Sequence, residues 1–367
     1  MVDVAGAVTG TAGAGVFTTV QGTGTTDITT GAGAITGNGG SSGIVAFGVG
    51  GTITIKSGTG LVSSKGNASG LFARNTGANG AGDISVTTGG DVSGNDFAGV
   101  DVSSSGAGLV KVTASAAGTI TGVLATADGV RAATTNTNGT VSVDLTGATV
   151  VVAGGNDGIN AKGLGGTVTV KTGAGTVTGG AGQGIDASAT GGTVTVVTGT
   201  GAVSGVDGVL AVNTGVNGAG AVAVTVGGNT TGTAGDGVRA TSSGPALVSV
   251  IAGGAGLVKG TDDGIDATNT SALGAVTVDL SGATVAVTGG DDGIFAQAVG
   301  GDVSVVTSGA VTAGTGEGVD AKASGAGNVF VNGVGSVTVT GAGDGITASS
   351  NTGNVTVGNT GGGYAGA

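Results

Sequence analysis

The 367-residue chain contains no cysteine, no histidine and no tryptophan, and only one proline, one methionine and one tyrosine. Without cysteine there are no disulfides and no thiolate metal sites. The further lack of histidine removes serine triads, cysteine–histidine nucleophiles and histidine-ligated zinc. Basic residues are also scarce: ten Lys and Arg stand singly against 22 Asp and Glu, for a formal charge of −12. With no basic run, the chain is not expected to bind nucleic acid or an anionic membrane surface. No apolar stretch approaches the roughly 18 residues of a spanning helix, so no membrane insertion is expected in this segment. No Gly-Lys dipeptide exists to build a phosphate loop, and no cofactor-binding residues are expected.

What is abundant is glycine, at 89 residues. Such a share by itself leans toward low complexity. Two features oppose that reading. The chain is 38% hydrophobic, with much of that fraction in Val and Ile, and its glycines are periodic. One phrase, Gly followed by Ile, Val or Leu, a variable residue and a small residue, begins at Gly15, Gly43, Gly70, Gly99, Gly129, Gly158, Gly184, Gly208, Gly237, Gly264, Gly293, Gly318 and Gly345. The mean step is about 27 residues, and a fixed period of that size marks a stacked repeat protein.

Within one repeat, Asp157 to Gly179, three fragments alternate apolar and polar residues and are bounded by glycine. Period-two alternation rich in Val and Thr predicts three short strands. The first should turn Ile159 and Ala161 inward and Asn160 outward. The second should bury Val168 and Val170, as Ile53 and Ile55, Val194 and Val196, and Val276 and Val278 do in other copies. Strands this short are unstable as isolated hairpins. If each repeat is one turn of a parallel coil, however, every strand pairs with its counterparts in the turns before and after. The expected fold is therefore all-β: a parallel β-helix, or β-solenoid, of about 13 turns of about 27 residues with three short strands per turn. Residues 1–367 are read as a single elongated β-helix domain, a rod of roughly 60 Å at a strand spacing of about 4.8 Å, and as a fragment of, or subunit in, a larger assembly. About six inward side chains per turn contribute on the order of 10 kcal/mol, less than the cost of ordering the turn. Turns must therefore fold cooperatively.

Segments such as Asp-Gly-Ile-Asp-Ala at Asp263–Ala267, Gly-Gly-Thr-Val-Thr-Val at Gly191–Val196 and Gly-Ala-Val-Ser-Gly at Gly201–Gly205 resemble the passenger regions of bacterial autotransporters and related giant repetitive surface proteins. The likeness covers essentially the whole chain. It implies an extracellular or cell-surface location, displayed at the outer membrane. Because Met1 to Gly6 lack a basic segment followed by an apolar run, the export signal is expected to lie outside this segment. The function expected is a non-catalytic structural or adhesive cell-surface rod. Its partners would be other copies of itself, stacked through bare end turns into filaments, and a surface glycan or host cell-surface ligand.

Three constellations bear on chemistry. An acidic residue precedes the repeat glycine at Asp128, Asp157, Asp207, Asp236, Asp263, Asp292, Glu317 and Asp344, so successive turns should form a carboxylate column. One reading of this column is turn chemistry, each side chain accepting from local backbone N–H groups. The other is a Ca²⁺ site where the column doubles, at Asp262, Asp263, Asp291 and Asp292. Second, outward positions of the first strand predict ladder ion pairs between Arg131 and Asp101 and between Arg239 and Asp266. Asp and Arg on such a face also suggest an enzyme acting on acidic polysaccharides, against which stand the absent tryptophan and single tyrosine, since sugar clefts usually carry aromatic platforms. No catalytic residues are assigned. Third, the outward Thr and Ser of the second strand, including Thr54, Thr169, Thr195, Thr277 and Thr356, suggest an ice-binding array, interrupted by Lys111 and Phe330.

Overall fold

The computed structural model describes residues 1–77, 82–282, 284–333, 335–359 and 364–365. The chain is all-β, a parallel β-helix of about 13 turns of about 27 residues whose strands fall into three parallel sheets. Among the described residues there is no helix and no cis peptide bond. Contacts divide it into two compact units, residues 1–187 and 188–367.

In the first unit, the glycine-led strands Val16–Val20, Ile44–Gly48, Leu71–Asn75, Ala98–Ser104, Asp128–Thr134 and Ile159–Gly163 pair in parallel. Their register stacks Val16, Ile44, Leu71, Val100, Val130 and Ile159 in one inward column, one residue per turn. Two positions further on, Ala46, Ala73, Val102, Ala132 and Ala161 form a second, thinner column, all fully buried. A third sheet of shorter strands closes the turn with Val8, Ile35, Val62, Val92, Ile120, Val152 and Val177. Each turn thus contributes one large and one small side chain from the glycine-led strand and one large side chain from the short strand.

The second unit repeats the scheme. Val209, Val238, Ile265, Ile294, Val319 and Ile346 form its glycine-led column, backed by Ala211, Ala240, Ala267, Ala296, Ala321 and Ala348. Its Val–Thr sheet buries the expected pairs Val194 with Val196, Val248 with Val250, Val276 with Val278, Val303 with Val305 and Val329 with Val331 and adds Val222 with Val224, whereas Val355 and Val357, also expected inward, are exposed in the last turn. Thr230 brings a hydroxyl into the core: it lies between Val203 and Val258 in the short-strand column, fully buried. Its hydroxyl has no hydrogen-bond partner.

None of the repeat glycines has positive φ, and most are required by close approach instead; Gly345, in the last turn, has open space where a Cβ would stand. A Cβ on Gly264 would stand 2.4 Å from Val287 Cγ1 and 2.5 Å from the Gly293 carbonyl oxygen. Gly129 and Gly293 are equally crowded by the Val and Gly of the next turn. Only hydrogen fits where the corner is drawn this tight.

Asparagines hold other corners. Asn213 ends its strand fully buried. Its Oδ1 accepts from Gly191 N–H at 2.9 Å and Gly215 N–H at 3.0 Å, and its Nδ2 donates to the Gly192 and Gly220 carbonyls at 3.1 and 2.6 Å. Asn75 makes the same four bonds, to Gly50, Gly77, Gly51 and Gly82. One amide thus ties the loops of two turns together in each case.

Candidate functional site

The acidic column exists, and its bonding is not local to the turn. Six of its carboxylates reach along the coil and accept the backbone N–H of the residue at the same position one turn later. In the first unit Asp128 Oδ1 accepts from Asp157 N–H at 3.2 Å, and Asp157 Oδ1 from Gln183 N–H at 2.7 Å. In the second unit the chain of bonds runs from Asp207 to Asp236 at 2.8 Å, Asp236 to Asp263 at 2.9 Å, Asp263 to Asp292 at 3.0 Å, and Asp292 to Glu317 at 2.6 Å. The repeat glycine completes each rung: Gly264 N–H donates to the Asp292 carbonyl at 3.0 Å. In these turns the carboxylate oxygen is used in an inter-turn bond, where the sequence pointed to a local Asp-Gly turn bond.

Stacking buried carboxylates has an electrostatic cost. Burial pushes Asp157 up to about 6, Asp236 to about 7 and Asp263 to about 8, and neighbouring carboxylates add to each shift. Asp128 and Asp292 are raised by the same desolvation, Asp292 with a further contribution from Glu317. Hydrogen bonds to the ionised form work against these shifts and do not cancel them.

The four residues expected to hold calcium fall into two groups. Carboxylate oxygens of Asp262, Asp263 and Asp291 lie within 4.8 Å of one another, whereas Asp292 joins Glu317 and Asp320. In the first group Asp263 Oδ1 is engaged by Asp292 N–H and Asp291 Oδ1 by the Thr315 hydroxyl at 2.9 Å. In the second, Asp320 is almost fully buried beside Lys322, and its Oδ1 has no partner. The Lys322 ammonium also sits 5.5 Å from the Phe295 ring centroid.

Both expected ladder ion pairs form. Arg131 Nη1 lies 3.7 Å from Asp101 Oδ2, and Arg239 Nε lies 3.5 Å from Asp266 Oδ2 and 3.9 Å from Asp236 Oδ2. Each arginine is half exposed while its partner is mostly buried.

A feature the sequence did not disclose lies around the first of these pairs. Two outward columns run side by side on the glycine-led sheet of the first unit. One carries Phe17, Val45, Phe72, Asp101 and Arg131, and the other Thr19, Phe47, Arg74, Ser103 and Ala133. The Phe17 and Phe47 ring centroids are 6.1 Å apart at 56°, and those of Phe47 and Phe72 are 5.4 Å apart at 57°. Beyond Arg74 the second column drops to Ser103 and Ala133, and this step in side-chain length leaves a groove of about 480 Å³. Phe97 and Ser69, from the loops beside the sheet, wall it, while Phe72, Arg74, Asp101 and Arg131 line it. The outward list read from the sequence held only one position per strand, which omits Phe47 and Arg74; Phe97 lies outside the strands altogether.

Comparison with protein-family models, curated proteins and solved structures found no match. The class defined by the geometry is the parallel β-solenoid.

Proposed function

We infer that this protein is a non-catalytic structural scaffold displayed at a bacterial cell surface. One observation carries the reading: the residues richest in chemistry are committed to holding turns together. Asp263 and Asp292 each give a carboxylate oxygen to a backbone N–H of the following turn, and buried Asn213 uses its whole amide on loop backbone. A coil stabilised between neighbouring turns can be lengthened by repetition without redesign of its core, which suits a surface stalk. The resemblance of the repeats to autotransporter passengers supports the same location.

The test is surface labelling and protease shaving of intact cells expressing the native gene. Antibody binding and loss of the protein to external protease without lysis are expected; full protection until lysis would overturn the surface assignment. Turnover of an acidic polysaccharide by the purified chain, abolished by Asp266→Ala or Arg239→Ala, would overturn the non-catalytic one.

A further inference from the structure

Unlike chemistries converge at one place on this chain. Four of its six phenylalanines, Phe17, Phe47, Phe72 and Phe97, and two of its three arginines, Arg74 and Arg131, stand in or beside the groove on the glycine-led sheet of the first unit. Phe17 is 60% exposed and Phe97 52% exposed. Exposed aromatic rings contribute nothing to the core, and a cluster of them on a chain with 2% aromatics is the kind of exposed apolar patch that marks an interaction site.

The arginines define the sign of the ligand. Arg131 is held by Asp101, whereas Arg74 makes no ion pair among the described residues and opens onto the groove. Arg74 feels the Asp101 carboxylate across the groove without a direct ion pair to it, so on a protein of net charge −12 its guanidinium keeps its donors for an anionic group, which it selects by forked, charge-assisted hydrogen bonds. The hydroxyls of Ser42, Ser69, Ser103 and Thr135 around it supply further donors and acceptors.

The spacing defines the shape. Successive rungs lie about 4.8 Å apart, so the five from Phe17 to Arg131 span about 19 Å, and each rung is close to the length of one sugar ring. Phenylalanine faces pack against the apolar C–H face of a pyranose, and the rim hydroxyls match its polar edge. Only two cationic groups serve the whole run, which fits a chain carrying well-spaced carboxylates and not the dense charge of a nucleic acid or a highly sulfated polymer.

We propose that the groove bounded by Phe72, Phe97, Arg74 and Arg131 binds an oligosaccharide containing uronic acid, with its sugar rings on the phenylalanines and a carboxylate on Arg74. The proposal concerns binding alone and does not rest on the scaffold reading; either can fail without the other.

The test is calorimetric titration of the full chain with a hexagalacturonate and a hyaluronan hexasaccharide, with cellohexaose as the neutral control. At least one acidic hexasaccharide should bind at millimolar concentration or below, and cellohexaose at least tenfold more weakly. Arg74→Ala and Phe97→Ala should each weaken binding about tenfold, an effect of about 1.4 kcal/mol. Both side chains are surface groups, so thermal melts of the variants should match the parent. Phe330→Ala, an exposed phenylalanine of the second unit, should leave affinity unchanged. Binding of neither acidic sugar, equal binding of cellohexaose, or wild-type affinity in both groove variants would overturn the proposal.

Discussion

Asp263 Oδ1 accepts the backbone N–H of Asp292 at 3.0 Å, 29 residues further along the chain. The carboxylate of one turn therefore closes an open backbone donor of the next, and the same bond recurs along the column. Asp263→Ala leaves that buried donor without a partner and is expected to cost about 1 to 3 kcal/mol. Asp263→Asn keeps an acceptor oxygen and, above pH 8 where Asp263 is ionised, also removes a charge, so at that pH it should be neutral or stabilising. Chemical denaturation of the two variants checks the difference; equal destabilisation by both would show that charge, not the N–H acceptor, is what the column needs.

The raised carboxylates make stability depend on pH in an unusual direction. Asp157, Asp236 and Asp263 titrate at about 6, 7 and 8 in the folded chain, against an ordinary value of 3.8. The folded state thus binds more protons than the unfolded state between about pH 4 and 8, so stability falls as pH rises through that window. Below the ordinary value the contribution is fully present, and above pH 8 it is gone. Melting temperature should decrease steadily from pH 5 to pH 8.5. A flat or rising profile would contradict the burial of these groups.

Protons, not calcium, are expected to neutralise the column at neutral pH, because the oxygens Asp263 Oδ1 and Asp291 Oδ1 already hold hydrogen bonds. Melts at pH 7 in millimolar Ca²⁺ and in excess chelator should therefore coincide. A drop of several degrees in chelator would instead place calcium in one of the two carboxylate groups, Asp262 with Asp263 and Asp291 or Asp292 with Glu317 and Asp320.

Thr230 presents the converse opportunity. Its buried hydroxyl lacks a partner between Val203 and Val258, and an unpaired buried hydroxyl costs about 1 to 3 kcal/mol. Thr230→Val matches its shape and should raise the melting temperature by a few degrees. A lower value would mean that the hydroxyl is satisfied in solution.

The coil itself was legible because its signal is redundant. Val168 and Val170 recur at the same place in nearly every repeat, and a one-residue slip would turn them all outward, so sequence alone fixes the strand faces. Arg131 and Asp101 were likewise placed together by register. The corner asparagines were not legible: Asn213 looks like any loop-flanking amide until the fold brings the Gly191 and Gly220 loops to it. The same holds for the groove, since Phe47 and Arg74 occupy the second outward position of their strands and Phe97 a loop. Their proximity arises only when turns are stacked. The direction of the Asp263 bond was also hidden, because a local turn and an inter-turn rung share the same Asp-Gly sequence.

The central claim is that each repeat of about 27 residues lies one strand spacing from the next, in parallel and in register. A chain without cysteine allows a direct measurement, by electron–electron double resonance between spin-label pairs on the outward column that runs from Thr195 through Ala223, Ser249, Thr277, Ser304 and Phe330 to Thr356. Labels at 195 with 304, 330 or 356 are four, five and six rungs apart, so backbone separations should rise evenly through about 19, 24 and 29 Å. Distances that fail to increase in equal steps would contradict the stacked parallel coil and everything built on it.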